Sequence, residues 1–75
     1  MSLQSSNMFE KYFRLFEGNG QRGQRYQVIL STGQVYSGVP IAAVGSDHSG
    51  SFTVTLDSGK FREVDWNRLL VACPI

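Results

Sequence analysis

The chain has one histidine, His48, in the run Ser46-Asp47-His48-Ser49. Serine, histidine and aspartate together suggest nucleophilic chemistry, but a catalytic triad is defined by three-dimensional geometry and not by adjacency. Neighbours in a chain rarely face one another correctly, so His48 reads as a solvated loop histidine or a ligand contact. Glu63 and Asp65 share strand parity, and a carboxylate pair can do acid–base work. A charged outer face explains them equally well. Cys73 is the only cysteine and stands among Val71, Ala72 and Ile75, the setting of a buried structural thiol. With one histidine and one cysteine far apart in sequence, no metal site is expected. Nor is a cofactor: Gly18-Asn19-Gly20 follows a helical pattern, whereas a phosphate-cradling loop follows a strand and opens a helix. The chain reads as non-enzymatic.

Two groups of residues suggest binding instead. Trp66, Asn67 and Arg68 fall together in a short turn. An aromatic face can stack on an unpaired base, an amide can read a base edge and a guanidinium can pair with phosphate. Core packing or burial at a subunit contact is the competing reading of Trp66. Lys11, Arg14, Arg22 and Arg25 gather within residues 11–25, against Glu17 alone in that stretch. They read as a solvated helix face and loop, or as an RNA-directed patch. The net charge of +1 is too even for bulk capture of nucleic acid.

The elements that would position these residues follow from the apolar spacing. Met8, Phe9, Tyr12, Phe13 and Phe16 make one stripe at helical period, with Asn7 as an N-cap and Gly18 beyond the end. Residues 1–6 read as disordered, residues 7–17 as an amphipathic helix and 17–25 as a flexible glycine-rich connection. The period then changes to two. Tyr26, Val28 and Leu30 alternate, Val35 to Val44 make a second strand, and Phe52, Val54 and Leu56 a third. Phe61 to Asp65 and Leu69 to Cys73 complete five strands, with turns at Thr32-Gly33 and Asp57-Ser58-Gly59. Pro40 lacks an amide donor and demands an edge or a bulge. Short antiparallel strands behind one helix predict a single mainly-β domain, a small five-stranded barrel or sandwich over residues 26–75. Closure would remove exposed edges. The expected core is Leu30, Val54, Leu56, Val64 and Leu69, with Phe9, Phe13 and Phe16 over one end.

At 75 residues the chain buries a small core, and such domains often need oligomerisation, disulfides or a metal. Oligomerisation is the remaining route. No apolar run reaches the length of a membrane span, so no membrane partner is expected. With no export signal read at the N-terminus and a single cysteine, a reducing cytoplasm is the expected location.

Residues 26–75, with the helix before them, resemble the Sm/LSm proteins, including their Hfq-like bacterial branch. Leu30, Gly33, Tyr36 and Gly38 match the spacing of that family's first motif. Val64, Asn67 and Leu69 match part of the second, and the ending Leu70-Val71-Ala72-Cys73-Pro74 is similar to the bacterial branch. The resemblance implies a small five-stranded SH3-like/Sm-like barrel behind the amphipathic helix, and a homo-oligomeric ring acting on single-stranded RNA, with the fourth strand of one subunit beside the fifth of the next. It also implies a nucleotide pocket lined by His48, Trp66, Asn67 and Arg68, with Arg22 and Arg25 in the basic patch. The alternative is an SH3-like protein-interaction or scaffold module, such as a phage or mobile-element accessory protein.

Overall fold

The computed structural model describes residues 4–43 and 50–75, with side chains from Phe9 onward. His48 lies outside the described residues. Helix α1 spans Gln4–Phe16, beginning three residues before the expected Asn7 cap. Gly18, at φ 75, takes the left-handed conformation that ends helices at little cost for glycine alone. A second, four-residue helix, α2 (Asn19–Arg22), follows in the stretch expected to be flexible. Five strands come next: β1 (Tyr26–Leu30), β2 (Val35–Ile41), β3 (Ser51–Leu56), β4 (Phe61–Asp65) and β5 (Leu69–Pro74). A 3₁₀ turn, η1 (Trp66–Arg68), joins β4 to β5.

All five strands lie in one antiparallel sheet of order β4-β3-β2-β1-β5. The sheet does not close. Among the described residues β4 pairs only with β3 and β5 only with β1, which corrects the expected barrel. The topology explains the difference. β4 and β5 are neighbours in sequence, yet η1 sends β5 to the far side of β1. The two strands that would have to zip together end at opposite margins.

An open sheet this short needs something over its apolar face, and α1 supplies it. Phe16 of α1 is fully buried, 5.1 Å from the Phe52 ring, 5.3 Å from Tyr26 and 5.9 Å from Trp66, centroid to centroid. Around them lie Tyr12, Val28, Leu30, Ala42, Val54, Val64, Leu69 and Ala72. Phe9, Phe13 and Leu56 pack against this core half-buried. The end of α1 is tied to the sheet where the Ala42 amide donates to the Phe16 carbonyl at 3.2 Å.

Asn19 was hidden in the glycine-rich stretch and is completely buried. Its side-chain amide donates to the Pro40 carbonyl at 2.9 Å and the Gln24 carbonyl at 3.0 Å, and its oxygen accepts from the Gln24 amide at 3.2 Å. This contact also explains Pro40, which is neither on an edge strand nor at a bulge but buried inside β2, opposite Val54. The β1–β2 ladder ends at Gly38, so β2 runs past its neighbour before it reaches Pro40. In a strand the N–H and C=O of one residue point to the same side. The Pro40 carbonyl points to Asn19, so the missing amide faces α2 and leaves the β3 ladder intact.

Gly38 sits where the β3 backbone lies close against β2. A Cβ built there would lie 2.1 Å from the Thr55 carbonyl oxygen and 2.8 Å from the Leu56 Cα. Both obstacles are backbone, so the strands themselves would have to separate. Gly38→Ala is expected to destabilise the fold by about 2 kcal/mol or more, in the range of overpacked sites. Asn19→Ala leaves the buried Pro40 carbonyl unsatisfied, at about 1–3 kcal/mol. Urea titrations monitored by circular dichroism check both. An unchanged midpoint would contradict the close approach or the buried network respectively.

Candidate functional site

Trp66, which the sequence left open as a stacking face or a core residue, is part of the core. Trp66 is only 4% exposed. Phe52 tilts against its ring at 4.5 Å, Phe16 stacks at 5.9 Å and 19°, and Phe9 meets it edge-on at 5.0 Å. Phe13 adds a fourth ring at 6.3 Å. Neighbouring rings occupy the surface a base would need. The η1 turn puts consecutive residues on different sides, so Asn67 and Arg68 remain exposed while Trp66 turns inward. The indole Nε1 has no hydrogen-bond partner among the described residues, a polar cost that the aromatic packing offsets.

The expected basic patch also separates into local contacts. The Arg22 guanidinium donates to the Leu15 carbonyl at 2.5 Å and the Glu17 carbonyl at 3.3 Å, capping the end of α1. Arg25 makes a two-pronged pair with Asp57, Nε to Oδ1 at 3.0 Å and Nη2 to Oδ2 at 2.6 Å. That hydrogen bonding, and then the Asp57 charge, raise the Arg25 pKa above its already high ordinary value. The pair ties the start of β1 to the β3–β4 turn. Arg68 lies 3.8 Å from Asp65, a loose exposed pair. The structure therefore does not gather Trp66, Asn67, Arg68, Arg22 and Arg25 into one pocket.

The carboxylates keep the expected parity but face solvent. Glu63 and Asp65 lie on the outer face of β4, and Ser51 Oγ donates to Glu63 Oε2 at 2.7 Å. Cys73 is exposed on β5 and not buried as its apolar neighbours suggested. Along α1, Phe9, Glu10, Phe13, Arg14 and Glu17 line a shallow groove made by one helix face. Among the described residues no group of three or more His, Cys, Asp or Glu could hold a metal ion.

What remains exposed and unexplained by packing lies largely at the sheet margins. Eight of the nine aromatic residues form the core or pack against it. The ninth, Phe61, opens β4 and is 70% exposed. On the other margin Leu70 is 54% exposed, and Ile75 just beyond β5 is exposed as well. Sequence periodicity could not single these out, because apolar residues on an edge strand read like apolar residues in a core strand. Their lack of a neighbour is known only once strand order is known.

Comparisons with family models, curated proteins and solved structures find no match to this chain. Together with the open sheet, this overturns the Sm/LSm resemblance. The RNA-binding ring and the SH3-like module both rested on a closed barrel and fall with it. The chain is a mainly-β domain with an N-terminal helix. No helix among its described residues is long and apolar enough to cross a membrane.

Burial of Trp66 has a direct optical consequence. Its emission is expected to be blue-shifted and poorly quenched by acrylamide, moving to the exposed-indole values on unfolding. Trp66→Ala is expected to cost about 3–5 kcal/mol, as for large aromatic deletions in cores. Native emission at the wavelength of free tryptophan would contradict the buried position.

Proposed function

We propose that this chain is a non-enzymatic, self-associating subunit that works by pairing the margins of its open sheet with further copies of itself. One observation carries the reading: among the described residues β4 and β5 each end the sheet with one side unpaired. A strand margin presents unused backbone donors and acceptors and is a template for another strand. The large apolar side chain left exposed on β5, Leu70, supports it, since contact with a second chain would remove it from water. The small core supports it too, because association adds buried surface that a domain of this size lacks.

The groups that could do chemistry support a binding role. Arg22 and Arg25 are committed to the fold, and Trp66 is packed from several sides. A reducing compartment such as the cytoplasm suits Cys73, exposed and unpaired.

Sedimentation velocity over a concentration series from low to high micromolar is the test. The expected outcome is a weight-average sedimentation coefficient that rises with concentration. A single monomeric species throughout the series defeats the reading.

A further inference from the structure

The self-association reading leaves open which margin pairs, and with what symmetry. The two margins differ in charge. β4 carries Arg62, Glu63 and Asp65, all exposed. Arg62 pairs in register with the fully buried Val54, so it has core-facing parity and yet is solvated. A charge at such a position is one of the devices by which edge strands resist pairing. If two β4 strands paired antiparallel, outer-face residues would meet outer-face residues. Glu63 and Asp65 would then stand against or diagonal to the same carboxylates, and opposed like charges destabilise a ladder.

β5 has no charged residue, and none follows in Ile75. The β1–β5 register passes from Ile29↔Val71 to Leu30↔Leu69, so Leu70 is the extra residue at the irregularity and stands exposed. Beyond it Val71 and Cys73 share the outer face, opposite Ile29 and Gln27. If β5 met the β4 margin of another copy, Glu63 and Asp65 would lose water beside apolar side chains and gain no cation. Pairing with its own image desolvates no charge.

We propose that two copies join β5 to β5, antiparallel about a two-fold axis perpendicular to the sheet, into one continuous sheet. The two-fold preserves the faces, so outer-face Val71 and Cys73 meet outer-face residues of the second copy. Such an interface is isologous and closes at two subunits, with a β4 margin at each end kept apart by its charges. Pro74, without an amide donor, limits the joined ladder toward the end of β5. Leu70 is the exposed apolar side chain that the second copy buries.

Cys73 allows a test that leaves the core alone, because its side chain is exposed. The full chain and its Cys73→Glu, Cys73→Lys and Phe61→Lys variants are compared by sedimentation velocity, with circular dichroism confirming the fold. The wild type is expected to dimerise, and a short-armed bismaleimide is expected to link Cys73 to the partner's Cys73. Cys73→Glu and Cys73→Lys alone should each weaken dimerisation about tenfold or more, as like charges come together across the axis. An equimolar mixture of these two variants should recover the dimer. Phe61→Lys should dimerise as the wild type does. Loss of association in Phe61→Lys with none in the Cys73 variants overturns β5 pairing while self-association stands. Failure of the mixture to recover the dimer overturns the two-fold arrangement. A wild type that is monomeric throughout overturns both.

Discussion

The fold depends on the contact between Phe16 of the helix and the aromatic pair Phe52 and Trp66 of the sheet. A closed barrel covers its own interior, whereas an open sheet of five short strands leaves a face exposed unless another element lies on it. The helix meets that need through one side of its turns, and Phe16 is the residue that reaches deepest. Trp66 makes the arrangement possible from the other direction. Its position in a 3₁₀ turn between the two marginal strands lets one large ring fill the space where the sheet fails to meet itself. Offset-stacked and edge-on rings at these separations add an attraction beyond the area they bury. The cost is an indole N–H with no partner among the described residues, which a phenylalanine would avoid but with less volume to fill the gap.

Around this aromatic centre the polar interactions do a different kind of work. They do not add bulk to the core but join segments that would otherwise drift. Asn19 links the short second helix to the second strand at the point where the first strand has run out. Arg22 closes the end of the first helix, and Arg25 bridges to Asp57 in a hairpin turn. Two of the chain's cations are engaged in this way, Arg22 by the Leu15 and Glu17 carbonyls and Arg25 by the Asp57 carboxylate.

Much of the architecture was legible in the sequence. The alternation of Tyr26, Val28 and Leu30, and of Phe52 and Val54, marked half-buried strands, and the stripe ending at Phe16 marked the helix. The turns at Gly33 and Gly59 lie where expected. Strand order was not legible, because alternation reports which face is buried and not which strand lies alongside. That gap led to the closed barrel and to the family resemblance built upon it. For Trp66 the sequence left core packing and a stacking face both open, and only the 3₁₀ geometry shows that its ring turns inward. Asn19 was missed because glycines on both sides imply freedom, while the amide's three hydrogen bonds come from residues whose proximity is a product of the fold.

The route of the chain through the η1 turn also governs how the molecule is assembled in time. Hairpins β1–β2, β2–β3 and β3–β4 join segments close in sequence, whereas Ile29 meets Val71 and Tyr26 meets Pro74 across most of the chain. Closing that long loop carries a larger entropic penalty than closing any hairpin, and ladders of high contact order form late. The four-stranded meander therefore precedes the docking of the fifth strand, and in that interval the flank of β1 is uncovered. A β5 segment from another chain competes for that flank once its concentration approaches the effective concentration of the molecule's own tethered segment. Strand exchange is thus an inherent kinetic branch of this topology, and crowding during refolding selects between intramolecular and intermolecular completion of the same sheet.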